Sequence, residues 1–430
     1  MGDTNLCTQA EGLHGTQVTW EDIEKDMQRS LNTSASFGLN KSAKNIGDGK
    51  GIMSRILLVE PDWQPKNGEL PDIFVAKIIS ELPMQELNDE VANQISSDKD
   101  ERDSAALEKF WEFQKNCHNT EVDAYELIDK FVGGKIKTPM IFGSRKITES
   151  NPAKGYILME YFENIHTVPF YENISLNQMK ELSCCHLKFQ VLRYYAVITA
   201  NLLRVSMEER DRFPQTPFKY YFHLDYIIEM EKQMKIVTRE WLGGRFASSI
   251  DRMEEIGAEL YDEKGADKLA EDLGMQRTFC HGDLWSGNMI WKLNGDHLNF
   301  YSIIDYQISH FGCAATDLVL VTCVCLSGKD RRENWEELIE VFCEFLKEEA
   351  VDCKMPFTVD QLKEAYRRFL PLGAALLVPY IGPLFGASVK DHDEKILKEV
   401  TEKAECLFED IFLFHDRNMK IKNQAVSNAL

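Results

Sequence analysis

The sequence predicts an α+β protein with a strand-rich N-terminal part and a larger, mainly helical C-terminal part. Between about residues 35 and 162, short apolar runs predict strands, and one long amphipathic segment predicts a helix. After residue 162 helical patterns prevail, apart from two strand-like runs between residues 288 and 305. We therefore expect two lobes, residues 34–162 and 163–430, preceded by a helical extension over residues 1–33.

The N-terminal part contains one helix before the strands begin. Thr19 and Asp22 stand at capping-box positions, and Ile23 and Met27 lie one helical turn apart on the same face. Strands are predicted for "MSRILLVE", "DIFVAKIIS", "TPMIFGSR" and "GYILMEYF", with a glycine-rich turn, "GDGKG", before the first of them. The segment "LEKFWEFQKNCHNTEVDAYELIDKF" predicts the long helix.

The C-terminal part opens with a predicted helix in which Ser175 and Gln178 occupy capping-box positions. The runs "NMIWKL" and "LNFYSIID" predict a small β element within the helical lobe. The apolar stretch "FLPLGAALLVPYIGPLF" is interrupted by Pro379 and Pro383, which favours a buried helix pair over a membrane span.

Composition excludes several classes of partner. The formal net charge is −21, whereas nucleic-acid binders need basic surfaces and anionic membranes repel acidic proteins. The 11 cysteines form no CxxC pair and the N-terminus has no secretion-signal pattern, which predicts reduced thiols and a cytoplasmic location. We expect no nucleic-acid, membrane or obligate protein partner. Any phosphate ligand must be held by local groups.

The strongest chemical signal is "FCHGDLWSGNMIW", followed by "YSIIDYQ". Loose phosphoryl-transfer transition states are stabilised mainly by positioning and charge neutralisation. Asp283 can orient an acceptor hydroxyl and take its proton, while the oxygens of Asn288 and Asp305 suit Mg²⁺. A strand that simply runs into a turn is the alternative interpretation of such acids. A Cys280–His281 nucleophile pair is disfavoured, because neighbours on a strand point to opposite faces.

At these residues the chain resembles the kinase superfamily. Gly282 replaces the arginine of the protein-kinase HRDxxxxN loop, Trp285 replaces its usual lysine, and "DYQ" replaces DFG. The strings "HGDLWSGNMIW", "IIDYQ" and "ILMEYFEN" resemble the CHK-kinase-like group, which includes the ecdysteroid kinases and is related to choline kinases and aminoglycoside phosphotransferases. The resemblance spans roughly residues 35–345 and implies a two-lobed protein-kinase-like fold that uses ATP and Mg²⁺.

The resemblance also implies roles for residues of the N-terminal lobe. Lys77 in "FVAK" becomes the ATP-anchoring lysine, and Glu121 its partner on the long helix, with Glu126 as the alternative. A second set would approach the nucleotide through the glycine-rich turn and the segment between the lobes; its members are Gly49, Gly51, Ser54, Glu160 and Tyr161. A flexible hairpin without a binding role is an equal interpretation of the glycine-rich turn.

In the C-terminal lobe, the resemblance implies that His281 and Asp317 support the loop that carries Asp283. A helix N-cap is the alternative for Asp317. The expected function is phosphate transfer to a hydroxyl of a small molecule, such as an alcohol, a sterol-like or a choline-like compound. We expect the acceptor near residues 205–260 and 365–390. A catalytically silent binding module is the alternative, and a protein kinase is less favoured because the activation-segment signals are missing.

Overall fold

The computed structural model describes residues 9–47, 53–66, 68–82, 104–176, 191–295, 297–382 and 394–429. The chain forms two compact units. The first comprises residues 1–126 and 138–163, and the second comprises residues 127–137 and 164–430. Gln178 of the predicted Ser175–Gln178 capping box and the glycines of the "GDGKG" turn beyond Gly47 lie outside the described residues.

The strands of the first unit are β1 Ser36–Phe37, β2 Ser42–Asn45, β3 Ser54–Glu60, β4 Trp63–Gln64, β5 Phe74–Ile79, β6 Ile141–Arg145 and β7 Tyr156–Glu160. Five of them form an antiparallel sheet in the order β2-β3-β5-β7-β6. A separate pair is formed by β1 and β4. The strands predicted here are therefore present, and Lys77 lies on β5, a central strand of the sheet.

Helix α1, Trp20–Ser30, packs in this unit. Its predicted capping box is present, because the Thr19 hydroxyl accepts from the Asp22 backbone N–H and the Asp22 carboxylate accepts from the Thr19 backbone N–H. Ile23 and Met27 are fully buried. They belong to one core with residues from the sheet, among them Leu57, Val59, Trp63, Phe74, Ala76, Ile78, Tyr156 and Leu158. The long predicted helix is α2, Ser104–Val132.

The second unit is mainly helical. After α2, its described helices are α3 Val191–Leu202, α4 Met207–Arg210, α5 Pro217–Phe222, α6 Asp225–Gly244, α7 Ala247–Glu255, α8 Gly257–Leu260, α9 Glu263–Asp267, α10 Leu269–Asp272, α11 Ala315–Cys325, α12 Gly328–Glu349, α13 Val359–Ala375 and α14 Glu394–Ala429. Its small β element has two parts. One is the three-stranded sheet β11-β10-β8 (His297–Ile303, Met289–Asn294 and Ile165–His166), and the other pairs β12, His310–Gly312, with β9, Thr278–Cys280.

Two further features bear on the composition argument. Every cysteine in the described part of the chain is a free thiol. Within that same part, none of the helices combines the length and apolar character that a membrane crossing requires.

Candidate active site

The predicted HxDxxxxN segment forms a turn between β9 and β10. We call residues 281–288 the catalytic turn; its last residues, Ser286–Asn288, form a short 3-10 helix. The Ile304 backbone N–H, just beyond β11, donates to the Asn288 carbonyl at 3.0 Å, and Asp305 follows directly. The hairpin therefore brings Asn288 and Asp305 to the same end of the small sheet. Asp305 adopts a left-handed backbone conformation with φ +68°, which few residues other than glycine, asparagine and aspartate adopt readily.

Asp317, in the first turn of α11, fixes the start of the catalytic turn. Its carboxylate accepts from the His281 backbone N–H at 2.6 Å and from the Gly282 backbone N–H at 2.9 Å. The side chain is fully buried, and burial raises the pKa of Asp317 to about 6 against the effect of these two donors. The structure therefore places Asp317 against the turn, as a brace requires, and it gives no side-chain cap to its own helix.

His281 is held as a neutral imidazole by its two partners. The Asp283 backbone N–H donates to Nδ1 at 3.2 Å, which makes Nδ1 an acceptor. The proton therefore resides on Nε2, which lies 3.0 Å from the Ile304 carbonyl and donates to it. The ring also packs against the Tyr306 ring, with 4.7 Å between the centroids. His281 thus links the catalytic turn to the strand end that carries Asp305.

Gly282 is required by the geometry of the turn. Its φ is +84°, and a Cβ at this position would lie 2.4 Å from the Ile308 carbonyl oxygen. Only glycine fits this close approach of two backbone segments. The departure of Gly282 from the protein-kinase pattern therefore has a steric cause in this fold.

Asp283, Asn288 and Asp305 form the chemical centre of the second unit. The Asn288 side-chain amide donates to the Asp283 carboxylate and to the Asp283 carbonyl, each at 2.9 Å. Burial, and then the charge of nearby Asp305, raise the pKa of Asp283 to about 6, against the hydrogen bond from Asn288. A buried acid whose pKa is raised by a neighbouring carboxylate is typical of sites that bind a cation or move a proton.

The donor set fits a magnesium ion that also binds phosphate. Because the Asn288 amide nitrogen donates to Asp283, its amide oxygen is directed elsewhere and can serve as a ligand. In the described part of the chain, no group of three or more His, Cys, Asp or Glu residues could hold a metal by itself. Mg²⁺ does not need such a cage, since it commonly takes one or two protein carboxylates and completes its shell with phosphate oxygens and water.

In the first unit the structure brings Lys77 and Glu121 together. The Lys77 Nζ lies 2.7 Å from the Glu121 carboxylate, and both side chains are at least nine-tenths buried. Glu126, the alternative partner, is exposed. A buried lysine paired in this way presents a fixed positive charge from the middle of the sheet.

The other residues predicted near the nucleotide belong to the same unit. Ser54 begins β3 and is buried, and it pairs with Ile79 across the sheet. The Glu160 backbone N–H donates to the Met140 carbonyl at 2.8 Å, so this amide already has a partner. The contact of the Glu160 and Tyr161 backbone with adenine stays a prediction. Gly49 and Gly51 lie outside the described residues.

A polar aromatic cluster lies in and directly beside the segments in which we expect the acceptor. Glu231 is buried in α6, and the Tyr221 hydroxyl donates to its carboxylate at 3.1 Å. Burial raises the pKa of Glu231. Tyr261 and Tyr380 lie within electrostatic range of this carboxylate, and the charge of Asp283 also acts on Tyr380.

Sequence reasoning missed the residues that hold the far end of the catalytic turn. The Cys325 thiol accepts from the Ser286 backbone N–H, and the Trp285 ring packs against the Phe170 ring with 6.0 Å between the centroids. Cys325 ends a helix that is buried almost all round, and this apolar pattern carries no chemical signal. Only the packing shows that these groups adjoin the turn.

Comparison with known proteins assigns the chain to a family. A family model described as "DUF1679: Uncharacterized oxidoreductase dhs-27" matches residues 6–419. The chain belongs to this family. It is 26% identical over 66% of its length to the "Uncharacterized oxidoreductase dhs-27" of Caenorhabditis elegans, and 24% identical over 50% to the "Uncharacterized kinase-like protein D1044.1" of the same organism. It spans only 33% and 52% of these two relatives, respectively.

Solved structures with a similar course of the chain include two phosphotransferases. A choline kinase from Cryptosporidium parvum is 14% identical, with a TM-score of 0.42 over 90% of this chain and 91% of that one. The GDP complex of aminoglycoside 2'-phosphotransferase-IIIa is 12% identical, with a TM-score of 0.43 over 91% and 98%. The α+β class predicted from the sequence is confirmed, with a strand-rich first unit and a mainly helical second one.

Proposed function

We propose that this protein is an ATP- and Mg²⁺-dependent phosphotransferase that acts on a hydroxyl group of a small molecule. The observation that carries the proposal is the arrangement of Asp283, Asn288 and Asp305. The Asn288 side-chain amide donates to the Asp283 carboxylate, and the charge of Asp305 raises the pKa of Asp283. This combination provides both a proton acceptor and hard oxygen ligands.

Each predicted residue takes a defined role in this proposal. Asn288 and Asp305 would hold the Mg²⁺ ion of a bound Mg²⁺-ATP, which would supply the phosphoryl group and neutralise its charge. Asp283 orients the acceptor hydroxyl and accepts its proton. Lys77, paired with Glu121, binds phosphate oxygens of the nucleotide. His281 and Asp317 keep the catalytic turn in place and touch no reactant.

We place the acceptor at the cluster of Tyr221, Glu231, Tyr261 and Tyr380. A buried carboxyl hydrogen-bonded to a tyrosine favours a ligand with its own hydrogen-bond donors, such as a polyol or a protonated amino alcohol, over a wholly apolar one. The tyrosine rings also suit an alkylated ammonium group or the flat face of a sterol-like alcohol. Free thiols throughout the described chain are typical of a reducing compartment, so we propose that the protein acts in the cytoplasm.

A catalytically silent kinase-like binding module, which binds nucleotide or nothing, is the second candidate. It would keep the same ion pair and the same acids and would lack turnover. The name of the longer relative, which describes an oxidoreductase, does not favour a third candidate, because this chain spans only 33% of that protein.

The deciding experiment is calorimetric titration of ATP into the wild-type protein and Asp305→Asn, with and without Mg²⁺. We expect the wild type to bind ATP more tightly with Mg²⁺ and Asp305→Asn to lose this dependence. Asp352→Asn is the matched control, since its side chain is 85% exposed. Failure of the wild type to bind ATP under any condition would contradict the phosphotransferase and make the binding module the first candidate.

Turnover then separates the two candidates. Wild-type protein that binds Mg²⁺-ATP is incubated with radiolabelled ATP and a panel of polyols, sterols and amino alcohols. Label on a small molecule, lost in Asp283→Asn while ATP affinity is kept, supports the phosphotransferase. Nucleotide binding without transfer to any acceptor or to water supports the silent module, and label on added proteins would favour a protein kinase.

A further inference from the structure

Helix α11 holds the catalytic turn at both ends. At its first turn, Asp317 accepts hydrogen bonds from His281 and Gly282. Eight residues further along the helix, about 12 Å away, the thiol of its last residue, Cys325, accepts from the Ser286 backbone N–H. The position of this helix end therefore sets the position of the second half of the turn.

Lys403 of α14 caps that helix end. Its Nζ donates to the Val324 carbonyl at 2.8 Å and to the Phe170 carbonyl at 3.4 Å, and the residue is only 1% exposed. The last carbonyls of a helix lack intrahelical partners and carry partial negative charge, so a cation at this place is favourable. The neighbouring Cys325 carbonyl accepts from the Ile174 N–H at 2.7 Å, which ties the same segment to the same helix end.

The Phe170 segment leads directly to the catalytic turn. The Phe170 ring packs edge-on against the Trp285 ring. The Trp285 backbone N–H donates to the Asp283 carbonyl at 3.1 Å. The Trp285 carbonyl accepts from the Asn288 backbone N–H at 3.0 Å. Trp285 is therefore bonded on both sides to residues of the chemical centre.

We propose that Lys403 is a positioning residue for the catalytic turn, acting through Phe170 and Trp285 and through the end of α11. The inference rests on the proposed function for its catalytic consequence, but its structural part is independent of it. Lys403 touches no reactant. Its loss should free the Phe170 segment, and Trp285 should then hold Asp283 and Asn288 less firmly.

The surroundings of Lys403 provide a readout that a merely structural lysine would not give. The titratable and charged groups that act on it are Cys323 and Cys325 of α11, Arg331 of α12, and Glu399 and Glu402 of its own helix. Burial is the largest effect and lowers the pKa of Lys403 to about 8. The cap should therefore lose its charge in an accessible pH range.

The test is fluorine NMR of protein with 5-fluorotryptophan at its seven tryptophan positions, with the Trp285 resonance assigned by Trp285→Phe. In the wild type we expect this resonance to shift with a midpoint near pH 8. In Lys403→Met it should be displaced at pH 7 and should not titrate. Lys403→Arg, which keeps the donors and the charge, should restore the wild-type position without titration. Lys398→Met, at an exposed lysine of the same helix, is the control.

The melting temperature completes the design. Lys403→Met leaves the Val324 and Phe170 carbonyls without this donor, so it should melt lower than the wild type. A lower melting temperature with an unchanged Trp285 resonance would overturn the inference and leave Lys403 with a packing role.

Catalysis is measured separately as Mg²⁺-dependent ATP hydrolysis, with water as the acceptor. We expect kcat to fall roughly tenfold to a hundredfold in Lys403→Met at unchanged ATP affinity, as small misplacements of catalytic groups do. If the Trp285 resonance responds as expected but neither the wild type nor any variant binds or hydrolyses ATP, the proposed function is wrong and the positioning role stands.

Discussion

Two buried polar clusters of the second unit balance their charges in different ways. Asp410 of α14 accepts hydrogen bonds from Arg331 at 2.6 Å and from Arg332 at 2.7 Å, so its negative charge is compensated. In the catalytic turn, by contrast, the charge of Asp305 raises the pKa of Asp283. The first arrangement holds helices together. The second arrangement raises the pKa of a buried acid toward neutral pH, and its uncompensated charge lowers the stability of the fold. Such a cost is typical of a site that binds a ligand.

The largest expected effect comes from Asp283→Asn. We expect turnover with any acceptor to fall roughly 10²- to 10⁴-fold, the usual contribution of a positioned proton acceptor. Because the variant removes one of two like charges, its free energy of unfolding at pH 7 should equal or exceed that of the wild type. Denaturant titration and initial rates measure both. A variant that loses stability together with activity would place Asp283 in the same class as Asp410.

The compensated cluster should respond in the opposite way. Asp410→Ala leaves the 1%-exposed Arg331 without its carboxylate and should lower the free energy of unfolding by about 3–5 kcal/mol. Glu409→Ala is the matched control, because its pair with Arg332 lies at the surface and should be worth about 0–1 kcal/mol. Equal effects of the two substitutions in urea titration would contradict the distinction between the clusters.

Gly282→Ala tests whether the catalytic turn depends on a close backbone approach. The positive φ alone costs an alanine about 1–2 kcal/mol, and the clash with the Ile308 carbonyl adds to it. Gly295→Ala has a similar φ of +61° but open space around its Cβ, so it should show the conformational cost alone. The difference between their free energies of unfolding measures the clash. No difference would mean that the two segments separate easily.

The smallest effect concerns pH. The pKa of Asp283 is raised to about 6 in the folded protein, so the folded state binds its proton more tightly than the unfolded state does. The stability linked to this group is full below about pH 4 and is lost as the pH rises through 6. Asp283→Asn should therefore gain stability relative to the wild type over this range, and added Mg²⁺ should reduce the gain. A pH-independent difference between the two proteins would contradict the raised pKa.

Much of the fold was predictable because its signals are local. The capping box of Thr19 and Asp22 and the apolar face of α1 depend on neighbours three or four residues apart, and the strand containing Lys77 is a short buried run. The spacing of Asp283, Asn288 and Asp305 along the chain is enough to indicate a cation and phosphate site. The roles of these residues stay predictions until the measurements above are made.

The tertiary structure decided what depends on contacts between distant segments. The choice of Glu121 over Glu126 as the partner of Lys77 follows from the way α2 packs, because both glutamates lie on one acidic helix in the sequence. The need for Gly282 comes from the Ile308 carbonyl 26 positions later in the chain. Lys403 stands three residues after buried Val400, so the helical period places it on the buried face, yet its partners come from segments far away in sequence. Local patterns determine elements and residue types, whereas the compensation of buried charge is a property of the packed chain.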